Sequence, residues 1–105
     1  MALASAEIGN FGERHATAWL QSQGYKCYRN TKQPGSTDIE AKGPANLLVQ
    51  VKTGLSPSSA PSLSSDEQRN ISSRATKLGY QAWLAQVQIN ASGSLIREIK
   101  WKKLN

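Results

Sequence analysis

The stretch from Gly35 to Lys52 reads GSTDIEAKGPANLLVQVK, and its alternation decides the fold. It reads as two short strands around a tight turn. Side chains alternate faces along a strand, so Leu47, Val49 and Val51 point one way and Leu48, Gln50 and Lys52 the other. Gln50 and Lys52 are thus neighbours on one face. The turn, Lys42-Gly43-Pro44-Ala45-Asn46, is short enough to make the strands a hairpin. Pairing can bring Asp38, at the head of the first strand, beside Gln50 and Lys52. A carboxylate, an amide oxygen and an ammonium meeting at one point suit a divalent metal and a phosphate.

The rest of the chain sets the bounds. At 105 residues one domain spanning 1–105 is expected. A chain of this size can bury roughly two-thirds of its unfolded surface. Thirteen Lys and Arg against seven Asp and Glu give a net charge of +6. Such a basic balance points to a polyanionic partner, nucleic acid first and an anionic membrane second; the alternative is a basic surface with no such role. A lone cysteine, Cys27, excludes an intrachain disulfide and a Cys-based zinc site, and a lone histidine, His15, excludes a His-cluster metal site. Cys27 lies in a strand-like run and reads as a structural thiol. No apolar run approaches membrane-spanning length. The first residues, Met1 to Ala6, lack the basic and apolar regions of a signal peptide, so a reducing cytoplasm is the expected location.

Outward from the central stretch, Ile8, Phe11, Gly12, His15, Ala16, Trp19 and Leu20 recur at helical spacing. They predict an amphipathic helix over Ala6–Gln23, capped by Ser5 and stopped at Gly24. Glu13 falls at the margin of its apolar stripe. From the helix alone it reads as a surface charge near Arg14 or Arg29; the alternative is that it reaches the Asp38 site. Tyr25–Arg29 follows as a strand, and Thr37–Ala41 as the strand of Asp38. Glu40 shares a face with Asp38 and reads as polar decoration, with a second metal-facing carboxylate as the alternative.

Leu47–Thr53 is the central strand. Gly54 to Ser65 holds six serines and two prolines and reads as a mobile loop. Ser64-x-x-Glu67 then opens a helix with a capping-box pattern. This helix runs to Leu78, with Ile71, Ala75 and Leu78 as its apolar seam and Arg69, Arg74 and Lys77 outside it. Gln81–Ile89 and Leu95–Trp101 complete the strands, joined by a turn at Asn90–Ser94. Trp19, Trp83 and Trp101 read as core or subunit-contact residues rather than base-stacking platforms. The order α-β-β-β-α-β-β implies an α/β fold, with one mixed central β-sheet and a helix against each face.

Glu13 on the first helix, GSTD ending at Asp38, and Gln50-Val51-Lys52 on a strand followed by a helix and a strand resemble the PD-(D/E)XK nuclease superfamily. The chain is most similar to its Holliday-junction-resolvase-like and Mrr-like branch, from about Glu7 to Ile89. The resemblance implies a restriction-endonuclease-like core and a Mg²⁺-dependent endodeoxyribonuclease, with Mn²⁺ as a substitute, that cuts branched or structured DNA as a homodimer. It makes Asp38 the metal-binding aspartate, Lys52 the catalytic lysine and Glu13 the first-helix acid. Gln50 stands where most members carry Glu or Asp. The metal ligands are then Asp38, the Gln50 side-chain oxygen and the Val51 carbonyl. Candidate nucleic-acid contacts are Arg14, Arg29, Lys32, Ser36, Arg69, Arg74 and Lys77.

Two departures stand out. Thr37 replaces a proline that only shapes the turn. Gln50 brings an oxygen ligand without negative charge, which lowers metal affinity; Glu40 or Glu13 could restore it. The alternative function is a weak or inactive DNA-binding module with a nuclease fold.

Overall fold

The structure, a computed structural model, describes residues 3–29 and 39–105. Its elements are α1 (Ser5–Ser22), β1 (Lys26–Arg29), β2 (Ile39–Lys42), β3 (Asn46–Leu55), α2 (Ser65–Leu78), β4 (Gln81–Ile89) and β5 (Lys100–Lys103). The strands form one sheet in the order β1-β2-β3-β4-β5. β3 and β4 are parallel and the other pairs antiparallel, so the sheet is mixed as expected. The short turn returns the chain as a hairpin, with Lys42 opposite Asn46 and Ile39 opposite Val49. α2 is the crossover that a parallel pair requires.

Alternation on β3 divides the core. Leu47, Val49 and Val51 pack with Ile39, Ala41, Ala85, Val87 and Ile89 against Ala16 and Leu20 of α1. Leu48 packs with Ala82 against Ile71 and Ala75 of α2. The α2 face is apolar only over its first half. Further along the parallel pair the same face carries Gln50, Lys52, Gln86 and Gln88. α2 covers its own half because both its ends are well capped. Ser64 Oγ accepts from the Glu67 N–H at 3.1 Å, while Glu67 Oε1 accepts from the Ser64 N–H at 3.0 Å. At the other end Gly79 takes φ 73°, and the Tyr80 and Gly79 N–H groups close onto the Ala75 and Thr76 carbonyls.

Several boundaries differ from the sequence reading. α1 begins at Ser5, not after it: Ala4 holds the cap position, and Glu7 Oε1 accepts the Ala4 N–H at 3.0 Å. Leu78 is 56% exposed and leaves the seam, because the chain turns at Gly79 and Tyr80 packs against that cluster instead. The strand expected over Leu95–Trp101 is shorter and later. Leu95 makes a single bridge to Ile89, and regular pairing resumes only with Lys100 opposite Gln86. The two paired positions are thus five apart on this segment and three apart on β4, and the surplus bulges out. The serine-rich loop does not stand free. Gln88 Nε2 donates to the Ser58 carbonyl at 2.8 Å and Gln86 Nε2 to the Pro61 carbonyl at 3.1 Å. Gly54 lets this loop lie flat on the strand, since a Cβ there would come within 2.4 Å of the Ser59 backbone.

Candidate functional site

The polar half of the α2 face lies toward the carboxyl ends of the two parallel strands, where open α/β sheets place their ligands. Gln50 and Lys52 are the centre of it. Gln50 is 7% exposed and sits opposite Leu84; Lys52 sits opposite Gln86. A buried amide next to a partly exposed ammonium is an arrangement of low dielectric and directed charge. The Lys52 Nζ donates to Glu67 Oε2 at 2.8 Å, so the start of α2 holds the lysine head. Hydrogen bonding from Lys52, and then from the Ser64 backbone, lowers the pKa of Glu67 below the usual glutamate value.

Glu13 and Glu40 are engaged elsewhere. Glu13 forms an ion pair with Arg29, which also donates to Asn10 Oδ1 at 3.2 Å. This is the contact with Arg29 that the helix reading named; the other reading, reach to Asp38, falls on a residue outside the described ones. Glu40 lies opposite Leu48, accepts from the Tyr80 hydroxyl at 3.3 Å and pairs with Lys42 at 3.3 Å. It is bound at the apolar end of the face.

The remaining candidates are spread out. Asp38, Lys32 and Ser36 lie outside the described residues. Val51 turns its side chain into the α1-side core, which leaves only its main-chain carbonyl as a ligand. Arg14 stacks on Phe11, 5.7 Å from the ring centroid. Arg69 pairs with Asp66 on the exposed surface of α2, where Arg74 and Lys77 are exposed as well. Burial raises the pKa of the Cys27 thiol, the opposite of what a nucleophile needs, so Cys27 keeps its structural reading.

The donor chemistry fits a hard cation. Gln50 and Val51 offer neutral oxygens and Glu67 a carboxylate, all suited to Mg²⁺. Among the described residues no three of His, Cys, Asp and Glu come together, so any metal here needs the amide, a carbonyl or Asp38.

Two features of this face were not read from the sequence as parts of a site. Glu67 was legible only as a capping residue. Lys100 and Lys102 come onto the face through register, opposite Gln86 and Leu84. Lys100 also lines a cleft of about 180 Å³ with Ser59, Gln86, Gln88 and Arg97. On the opposite side of the sheet, Trp19 and Trp101 stack at 4.8 Å beside an apolar hollow of about 360 Å³. Trp19 is 43% exposed, which makes it a surface aromatic and not a core one. Among the described residues no helix is long and apolar enough to cross a membrane.

No family model and no curated protein matches this chain. Among solved structures, the fold is similar to that of Hjc, a Holliday junction resolvase from the archaeal hyperthermophile Archaeoglobus fulgidus. The TM-score is 0.68 at 23% identity, over 91% of this chain and 72% of that one. The chain thus shares the α/β fold of that resolvase.

Proposed function

We propose that this chain is a metal-dependent DNA endonuclease that hydrolyses phosphodiester bonds in branched DNA, working in the cytoplasm as a single-domain homodimer. The observation that carries the proposal is the pairing of Gln50 and Lys52 on one polar face, at the carboxyl ends of the parallel strands, in a fold shared with a resolvase.

The residues divide the work. Asp38, the Gln50 oxygen and the Val51 carbonyl hold Mg²⁺, with Mn²⁺ as a substitute. The bound cation supplies a Lewis acid and a water of lowered pKa. Asp38 is one peptide bond from Ile39, which faces Val49, and this proximity supports its place beside Gln50. Lys52 directs its ammonium at the scissile phosphate and offsets the charge that grows on it during attack. Glu13 and Arg29 form a tethered pair on the α1 side of the sheet. The basic residues Arg14, Arg29, Lys32, Arg69, Arg74 and Lys77, with Ser36, contact the phosphate backbone. Trp19, Leu95, Ile99 and Trp101 border a second apolar hollow and form the subunit contact.

The test is cleavage of a labelled panel comprising linear duplex, single strand, flap and four-way junction, each with Mg²⁺, Mn²⁺ or EDTA. Metal-dependent cutting of the junction, lost in Asp38→Ala and in Lys52→Ala while binding persists, is the expected result. Binding without cutting under every metal would leave a nuclease-fold DNA-binding module. Undiminished cutting by both variants would overturn the site.

A further inference from the structure

We infer that the open edge of β5 docks an acidic, extended segment of a partner protein, which joins the sheet as a further strand. The inference is independent of the nuclease reading above. β5 ends the sheet, with β4 on one side only. The Leu104 N–H donates to the Ala82 carbonyl at 2.8 Å, two positions beyond the pairing of Lys102 with Leu84. In an antiparallel pair the main-chain bonds fall at alternate residues, so Lys100 and Lys102 bond inward to β4. Trp101 and Lys103 then turn their N–H and C=O groups outward, and among the described residues these outward groups have no partner. Strand addition is built on such a row of groups.

The side chains select the occupant. Lys100 and Lys102 stand on the Lys52 face, and Trp101 and Lys103 on the α1 side. Lysines on an edge keep neutral strands away, and the same charges favour acids directly opposite. A second copy of this chain does not fit. Its β5 would set lysine against lysine, and its other edge, β1, reads Lys26-Cys27-Tyr28-Arg29 and is basic as well. A DNA backbone meets the lysines but carries no donor for the outward carbonyls. Trp101 calls for an apolar neighbour, since with Trp19 and Trp83 it lines the hollow of about 360 Å³. Antiparallel to β5, the incoming strand has the pattern acid-acid-apolar-acid, its residues opposite Lys103, Lys102, Trp101 and Lys100 in turn.

Fluorescence anisotropy of a labelled peptide, with glutamates and a phenylalanine in that order, tests this on the full chain. The peptide should bind about tenfold more tightly than one of the same composition in scrambled order. Methylating its main-chain nitrogens opposite Trp101 and Lys103 keeps its charge and should weaken it about tenfold, through the lost hydrogen bonds. On the protein side, an edge strand tolerates Pro where the N–H faces outward. Lys103→Pro should therefore bind the peptide about fivefold more weakly than Lys103→Ala, the weight of one hydrogen bond. The methylated peptide needs no variant, so the test stands even where Lys103→Pro does not fold. Equal binding of the ordered, scrambled and methylated peptides would reduce the edge to a patch of positive charge and overturn the inference. Absence of peptide binding overturns it too. Self-association or DNA binding weakened by Lys103→Pro and not by Lys103→Ala would in that case give the edge to a second copy or to DNA.

Discussion

Gly12 of α1 lies directly on Thr53 of β3: a Cβ at Gly12 would sit 1.7 Å from Thr53 Oγ1 and 2.9 Å from its Cβ. The absence of a side chain lets the helix approach β3 at the residue after Lys52. Gly12→Ala therefore meets two opposed effects. Ala favours a helix interior by roughly 1 kcal/mol over Gly, while overpacking costs about 1–3 kcal/mol. The contact is too close for a small adjustment, so a net loss in the urea midpoint is expected. Thr53→Ala in the same background should recover part of it. A Gly12→Ala protein at least as stable as the wild type would mean that α1 can stand off the sheet at no cost.

The central hairpin, the two-sided core and both helices were legible because each rests on local periodicity with a strong stop at Gly24 or Gly79. The neighbourhood of Gln50 and Lys52 was legible for the same reason, since a strand alone puts residues i and i+2 on one face. What was not legible depends on register and on distance in the chain. Glu67 meets Lys52, fifteen positions earlier, because the loop after β3 brings the start of α2 back over that strand, and no local pattern encodes that return. Lys100 and Lys102 reach the same face through pairing with β4, after a bulge that the run from Leu95 gives no sign of. The serine-rich loop reads as mobile from composition, whereas Gln86 and Gln88 fasten it from a strand more than twenty residues away.

The Lys52–Glu67 pair makes stability depend on acid in a predictable direction. Glu67 has its pKa lowered in the folded chain, first by the hydrogen bond from Lys52 and then by that from the Ser64 backbone. Its contribution is fully present above the unfolded glutamate value, ~4.3, and is lost as pH falls through the lower folded value. The gap in urea midpoint between wild type and Glu67→Gln should be open at neutral pH and should close on acidification below the glutamate range. The side chain is 39% exposed, so the gap is small, under about 1 kcal/mol. A gap that persists unchanged into acid would show that the ion pair is not its source.

Trp19 gives a separate test of assembly. It is 43% exposed while stacked on Trp101, and Leu95, 40% exposed, lies in the same apolar surface. An aromatic pair of this size left open to water is a costly surface for a monomer and a good anchor for a partner copy. The wild type is expected to sediment as a dimer at micromolar concentration, and Trp19→Glu as a monomer with an unchanged circular dichroism spectrum. A wild type that stays monomeric as concentration is raised would remove this face from the proposal.

Lys100 and Lys102 extend the positive charge of the Lys52 face to the edge of the sheet. Both are exposed, and they stand opposite Gln86 and Leu84, the residues that in turn lie opposite Lys52 and Gln50. Lys103 alternates to the other face, opposite Trp83 in the α1-side core. A phosphate backbone running past Lys52 toward β5 would meet the first two lysines and miss the third. Junction affinity, measured in EDTA over a salt series, falls with a slope of about 0.9 per phosphate neutralised. Lys100→Ala with Lys102→Ala should reduce that slope by about 1–2 and weaken binding alike across DNA sequences. Lys103→Ala should leave it unchanged. Equal effects from all three would mean that the lysines act only through net charge, and that the DNA does not track the face on which Lys52 stands.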